Sequence, residues 1–133
     1  MFGIVAGLPA FLAYFILGLV LYGLFGWVYT TLTPQKEITL IRAGNTAAVV
    51  AFMGAILGFS LPLASAAANS VSIVDFIIWS VIGLLAQILA FFIASRTMTG
   101  LHQRITDGEI AAGIWTGGIA LSVGILNAAC MTY

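Results

Sequence analysis

The sequence predicts an all-α membrane protein with four transmembrane helices, built as two parallel-repeated helical hairpins. Three observations carry this. Hydrophobic residues make up 62% of the chain and charged residues only 6%, whereas a soluble domain needs about a quarter of its residues charged to cover its surface. Four apolar stretches reach the roughly 20 residues that a helix needs to cross a ~30 Å hydrocarbon core. Finally, a pattern beginning at Ile41 recurs 64 positions later, at Ile105. The apolar runs lack the alternation of barrel strands, and a helix satisfies its own backbone in lipid. At 133 residues the chain is about one domain long, a single integral membrane domain over 1–133.

The first span runs from about Leu8 to Tyr29. No Lys or Arg precedes it, so the basic n-region of a signal peptide is missing and the stretch reads as a retained helix. Trp27 and Tyr29 are expected in the aromatic belt of the inner interface. Thr33-Pro34 resembles an N-cap followed by proline at the first helical position. "PQKEITLIR" then forms a short extension with Lys36, Glu37 and Arg42 in water.

The second span, Gly44 to Ala66, gathers Gly44, Ala47, Ala48, Ala51, Gly54, Ala55, Gly58 and Pro62 on one face. Small residues let backbones approach, so that face is expected at an interface. The third span, Val74 to Ala94, divides its wheel. Asp75, Phe76, Trp79, Ser80, Gly83, Ala86, Gln87 and Ala90 form the protein-facing half, while Ile77, Ile78, Val81, Leu84, Leu85, Ile88 and Phe92 face lipid. A mid-membrane Gln usually points inward to find a partner. The fourth span, Glu109 to Ala129, carries two small-residue stripes. One holds Gly108, Ala111, Ala112, Gly118 and Ser122, the other Gly113, Gly117, Ala120, Gly124 and Asn127. Two such stripes suggest neighbours on both sides, and Gly113, Gly117 and Gly124 are assigned to a homo-oligomer interface; a generic Gly-rich membrane helix is the plainer reading.

Under the 64-residue shift, Ile41, Gly44, Ala47, Ala48, Gly54, Leu57 and Ala64 fall on identical residues from Ile105 to Ala128. This reads as a duplicated hairpin, repeat one about 1–68 and repeat two about 69–133, in parallel orientation. Lys36, Arg42, Arg96 and Arg104 all fall in the first and third connections. By the positive-inside rule that side is cytoplasmic and both termini lie outside.

The segments "YTTLTPQKEITLIRAGNTAA", "LGFSLPLASAAANSVSIVDFIIWS" and "GILNAACMTY" resemble the YjfL-like family of bacterial inner-membrane proteins. The likeness extends from Trp27 to Tyr133. It implies an inner-membrane protein of unknown function whose relatives neighbour genes for envelope-stress proteins, and it brings no catalytic residue.

Catalysis finds no constellation. His102 and Cys130 are expected a membrane thickness apart, which prevents a nucleophile–base pair. The acids divide between the two faces, and no metal-ligand set or phosphate loop is present, so no cofactor or metal is expected. Zero net charge offers nothing to nucleic acid. Cys130 reads as a small packed residue without a basic neighbour to activate it. Polar side chains gather at the outer end: Ser65, Asn69, Asp75 and Asn127, with Gln87 deeper. Asp75 is either a functional charge or a helix N-terminal acid capped by Ser72. The C-terminal segment is expected to plug that end.

The favoured function is a non-catalytic oligomeric scaffold or sensor in the bilayer. It contacts soluble cytoplasmic stress-response proteins through Lys36, Arg42, Arg96 and Arg104. A small oligomeric channel or transporter lined by Asp75, Gln87 and Asn127 is the alternative.

Overall fold

The computed structural model describes residues 2–33 and 36–131, with side chains from residue 7 onward. Six helices follow in order: α1 (Phe2–Leu32), α2 (Glu37–Arg42), α3 (Thr46–Asn69), α4 (Ile73–Thr97), α5 (Leu101–Thr106) and α6 (Ile110–Cys130). The long helices α1, α3, α4 and α6 are the four expected spans, each long and apolar enough to cross a membrane. The shortest, α6, has 21 residues and so reaches about 32 Å, enough for the hydrocarbon core.

Two matching turns set up the bundle. After α2, the Gly44 N–H bonds to Ile41 O at 3.0 Å and the Asn45 N–H to Leu40 O at 2.9 Å. After α5, Gly108 bonds to Ile105 O and Glu109 to Arg104 O, both at 2.9 Å. Each is a Schellman turn, which needs a left-handed residue. Gly44 (φ 86°) and Gly108 (φ 83°) supply it without a Cβ penalty. Gly44 therefore ends α2 rather than opening the second span, and Asn45 caps α3 by accepting from the Ala48 N–H at 3.0 Å.

Helices α3 and α6 both start at the end that carries the basic residues, run parallel, and touch backbone to backbone. A Cβ on Gly113 would lie 2.4 Å from Ala47 O, one on Gly54 2.3 Å from Gly117 Cα, and one on Gly124 2.1 Å from Gly58 O. This corrects the expectation for Gly113, Gly117 and Gly124. Their face is used within the chain, because the small face of α3 is the nearest complementary stripe and close approach maximises dispersion contact in lipid. The other stripe of α6 divides: Ala112 is buried, whereas Ala111, Gly118 and Ser122 are exposed, and a Cβ on Gly118 would meet nothing within 4 Å.

Helix α4 packs across this seam through Phe76, Ser80, Gly83, Gln87, Ala90 and Ala94, the expected half of its wheel. Leu84, expected toward lipid, is buried at the border of that half. Helix α1 is held by aromatic side chains rather than by close backbone contact. Phe25 stacks on Phe59 with centroids 4.6 Å apart, and Tyr29 packs against Phe52 and Phe91 at 6.0 Å each. Tyr29 is thus a core residue and not a belt residue, since it follows Leu21 and Phe25 on the inward stripe at a spacing of four. Trp27, on the opposite side, is exposed.

Three further expectations change. Thr33 does not cap the next helix; its hydroxyl turns back onto α1, and α2 begins at Glu37 with no side-chain cap. Pro34 lies outside the described residues. Cys130 is exposed, and Met131 is buried instead. Position 131 is seven after Gly124 and shares its face, whereas position 130 is rotated by about 100°. Thr132 and Tyr133, part of the expected C-terminal plug, lie outside the described residues.

Candidate functional site

The expected polar cluster separates into parts. Asp75 is the N-terminal acid of α4: its N–H is capped by Ser72 Oγ at 3.2 Å, and its carboxylate accepts from Trp79 Nε1 at 3.1 Å and from the Val71 N–H at 3.3 Å. Asn69 is exposed and donates back to Ser65 O of its own helix at 2.9 Å. These residues complete helix ends. They do not converge with Gln87.

Deeper in the bundle, a polar set does form. Gln87 is 0% exposed and donates through Nε2 to the Ala120 carbonyl at 3.0 Å. It reaches α6 past Gly58, where a Cβ would stand 2.7 Å from Nε2. One turn and two turns nearer the N-terminus of α4 lie Gly83 and Ser80, the latter also 0% exposed. Asn127 Nδ2 would be 3.6 Å from a Cβ on Gly83. Pro62 has no N–H, which takes the intrahelical partner from the Gly58 carbonyl. Ser80 Oγ, Gln87 Oε1 and Asn127 Nδ2 are buried without a hydrogen-bond partner. The set therefore joins the expected Gln87 and Asn127 with Ser80, which sequence reasoning placed on the right face without singling it out.

At the basic end, the exposed cations are Lys36, Arg42 and Arg96. Arg104 differs, because its guanidinium pairs with Glu109 through Nε at 2.9 Å and Nη2 at 2.5 Å. That hydrogen-bonded pairing holds the Glu109 carboxyl below its usual range. Asn45 stands where Glu109 stands in the other turn. Its amide crosses to α5, donating to Ile105 O at 2.9 Å and Thr106 O at 3.2 Å, and so ties the two turns together.

The least expected residue is Glu37. The sequence predicts it in water, yet it is 1% exposed. One carboxyl oxygen meets the Thr33 hydroxyl, and the other is buried without a partner. Among the described residues Arg104–Glu109 is the salt bridge present, and Glu37 takes no part in one. Burial pushes its carboxyl up from 4.5 to about 7, against a smaller lowering by the Thr33 hydrogen bond. A signal for this was present in the sequence. The 64-residue shift sets Glu37 on Leu101, and Leu101 is buried. The acid occupies an apolar anchor position.

Among the described residues no three of His, Cys, Asp and Glu come together, and nothing in the arrangement points to catalysis.

Comparison with known proteins places this architecture. The chain is 44% identical over 130 residues to the UPF0719 inner membrane protein YjfL of Escherichia coli strain K12, covering 98% of both chains. The same protein of E. coli O157:H7 matches equally. No solved structure matches. Residues 3–131 match the family described as Domain of Unknown Function (DUF350). With four membrane-capable helices, a match along nearly its whole length and a relative named as an inner membrane protein, this chain belongs to the DUF350 family of integral membrane proteins.

Proposed function

We propose that the protein is a non-catalytic membrane scaffold or sensor that works as a homo-oligomer, with both termini outside and the basic end in the cytoplasm. The observation that carries the reading is the α3–α6 seam. Backbones in contact at Gly54–Gly117 and Gly58–Gly124 leave no room for a solute path between these helices, and Gln87 is sealed behind them. Rigid, gapless packing suits a part that transmits or anchors. The confinement of Lys36, Arg42, Arg96 and Arg104 to one end supports the orientation. Among the described residues, Lys36, Arg42 and Arg96 are the exposed cations there for an acidic soluble partner, since Arg104 is engaged by Glu109. The tie to envelope stress rests on the family resemblance alone.

For the oligomer, the open stripe of Ala111, Gly118 and Ser122 replaces the internal one as the proposed contact. The matching turns, with the same hydrogen bonds 64 positions apart, support the proposed duplication into repeats over about 1–68 and 69–133.

A small channel or transporter is the second reading. It is favoured by the three unpartnered polar atoms of Ser80, Gln87 and Asn127 deep in the bundle, since buried polar groups in a membrane often mark a pathway. Flux assays decide between the two. Purified protein in liposomes is expected to leave them tight to ions and small polar solutes. Reproducible flux that Gln87→Leu abolishes would establish the transport reading instead.

A further inference from the structure

The carboxyl of Glu37 sits where the matching turn has a leucine. Leu101 and Ile105 of α5 are both buried, a spacing of four that anchors α5 by its apolar side. On α2 the corresponding residues are Glu37 and Ile41. A leucine holds its helix down under all conditions, whereas an acid does so only while it is neutral, because an unpaired buried carboxylate is costly.

The hydrogen bonds point the same way. The Thr33 hydroxyl lies 3.0 Å from the Tyr29 carbonyl and also contacts Glu37 Oε1. A hydroxyl has one proton to donate. An ionised Glu37 must therefore share that proton with the Tyr29 carbonyl, whereas a neutral Glu37 can itself donate to Thr33 Oγ1 and leave the Thr33 proton to Tyr29. An ionised Glu37 breaks that chain and leaves a buried anion with one oxygen unpartnered.

We propose that Glu37 is a proton-binding site: its neutral carboxyl docks α2 against the end of α1, and loss of the proton to water releases α2 from the bundle. Among the described residues the surroundings offer no competing cation. Tyr29 of α1 is the titratable side chain beside it. Helix α3 contains no titratable residue. Arg96 of α4 and His102 of α5 are exposed, as are Lys36 and Arg42 of the α2 segment, and Arg104 is paired with Glu109. The raised range of the carboxyl, about 7, puts the change where a cell's internal pH moves. The inference names the proton as what the sensor senses, and it rests on the proposed function for that role alone.

The test uses the whole protein in phosphatidylcholine vesicles treated with dicyclohexylcarbodiimide, which adds to neutral carboxyls in apolar surroundings. Peptide mass mapping locates the adduct, so no variant has to fold. We expect modification of Glu37 near pH 6, falling by about tenfold for each pH step above the titration point, with Asp107 and Glu109 unmodified throughout. An absent adduct, or a yield that stays flat to about pH 9, would overturn the proton site. Release is read by maleimide labelling of a cysteine placed at Leu40 in a Cys130→Ala background, relative to the same chain carrying Glu37→Leu, or Glu37→Gln if the leucine misfolds. The ratio is expected to rise several-fold over the same pH range; a constant ratio overturns the release. Liposome flux would defeat the scaffold reading and leave the adduct standing, whereas a missing adduct defeats the proton site and leaves the scaffold untouched.

Discussion

Gly54→Ala probes the contact on which the bundle depends. The added Cβ would lie 2.3 Å from Gly117 Cα, 2.6 Å from its carbonyl oxygen and 2.8 Å from its carbonyl carbon. Ordinary contact between such atoms lies at roughly 3.5–4.0 Å. Backbone atoms cannot rotate away, so α3 and α6 must part by about 1 Å near the middle of the seam. A gap of that size forfeits about a quarter to a half of each affected dispersion contact, and overpacking of this kind costs about 1–3 kcal/mol. Alanine returns up to about 1 kcal/mol of helix propensity. Three rigid backbone atoms put the overpacking at the upper end of that range, so the net expected loss is about 2 kcal/mol, read by SDS-titrated unfolding of purified protein in mixed micelles. Gly23→Ala on α1 is the control, since nothing lies within 4 Å of its Cβ position; it should be neutral or slightly stabilising. If Gly54→Ala unfolds with the parent, or Gly23→Ala loses as much, the seam does not hold the fold as described.

Four other outcomes are expected. Stability should fall as pH rises from about 4.5 to about 7, because native Glu37 keeps its proton over a range in which the unfolded chain has lost it. The total is about 3 kcal/mol, present in full below the unfolded value and gone above the native one; Glu37→Gln should flatten the curve in the same unfolding assay. Gln87→Leu removes the bond to Ala120 and should cost about 1–2 kcal/mol, with liposomes as tight as those of the parent. A membrane-impermeant thiol reagent on intact cells, in a Cys130→Ala background, should label a cysteine at Ser70 and spare one at Gln103, and the reverse would invert the orientation. In native mass measurements Gly118→Leu should lower the subunit number, whereas an unchanged mass or a monomeric parent would remove the proposed oligomer contact.

The sequence by itself determined the four spans, their approximate limits and the inward half of α4. Each of these follows from properties a single helix carries along its own length, hydropathy and periodicity; the left-handed turns at Gly44 and Gly108 emerged only in the structure. It also located Gln87 on the inward side, since polar groups in lipid have few other places to go. What it left open was which of two equivalent surfaces meets which partner. Both stripes of α6 were suitable for close packing, and only the meeting of α3 with α6 decided that Gly113, Gly117 and Gly124 face inward and Gly118 outward. Glu37 shows the same limit most clearly. In the sequence it sits between Lys36 and Ile38 in a polar connection, where water is the natural surrounding for a carboxylate. The tertiary structure sets Glu37 beside Thr33 and Tyr29, and that placement, not the residue's own chemistry, turns a solvated acid into a buried one.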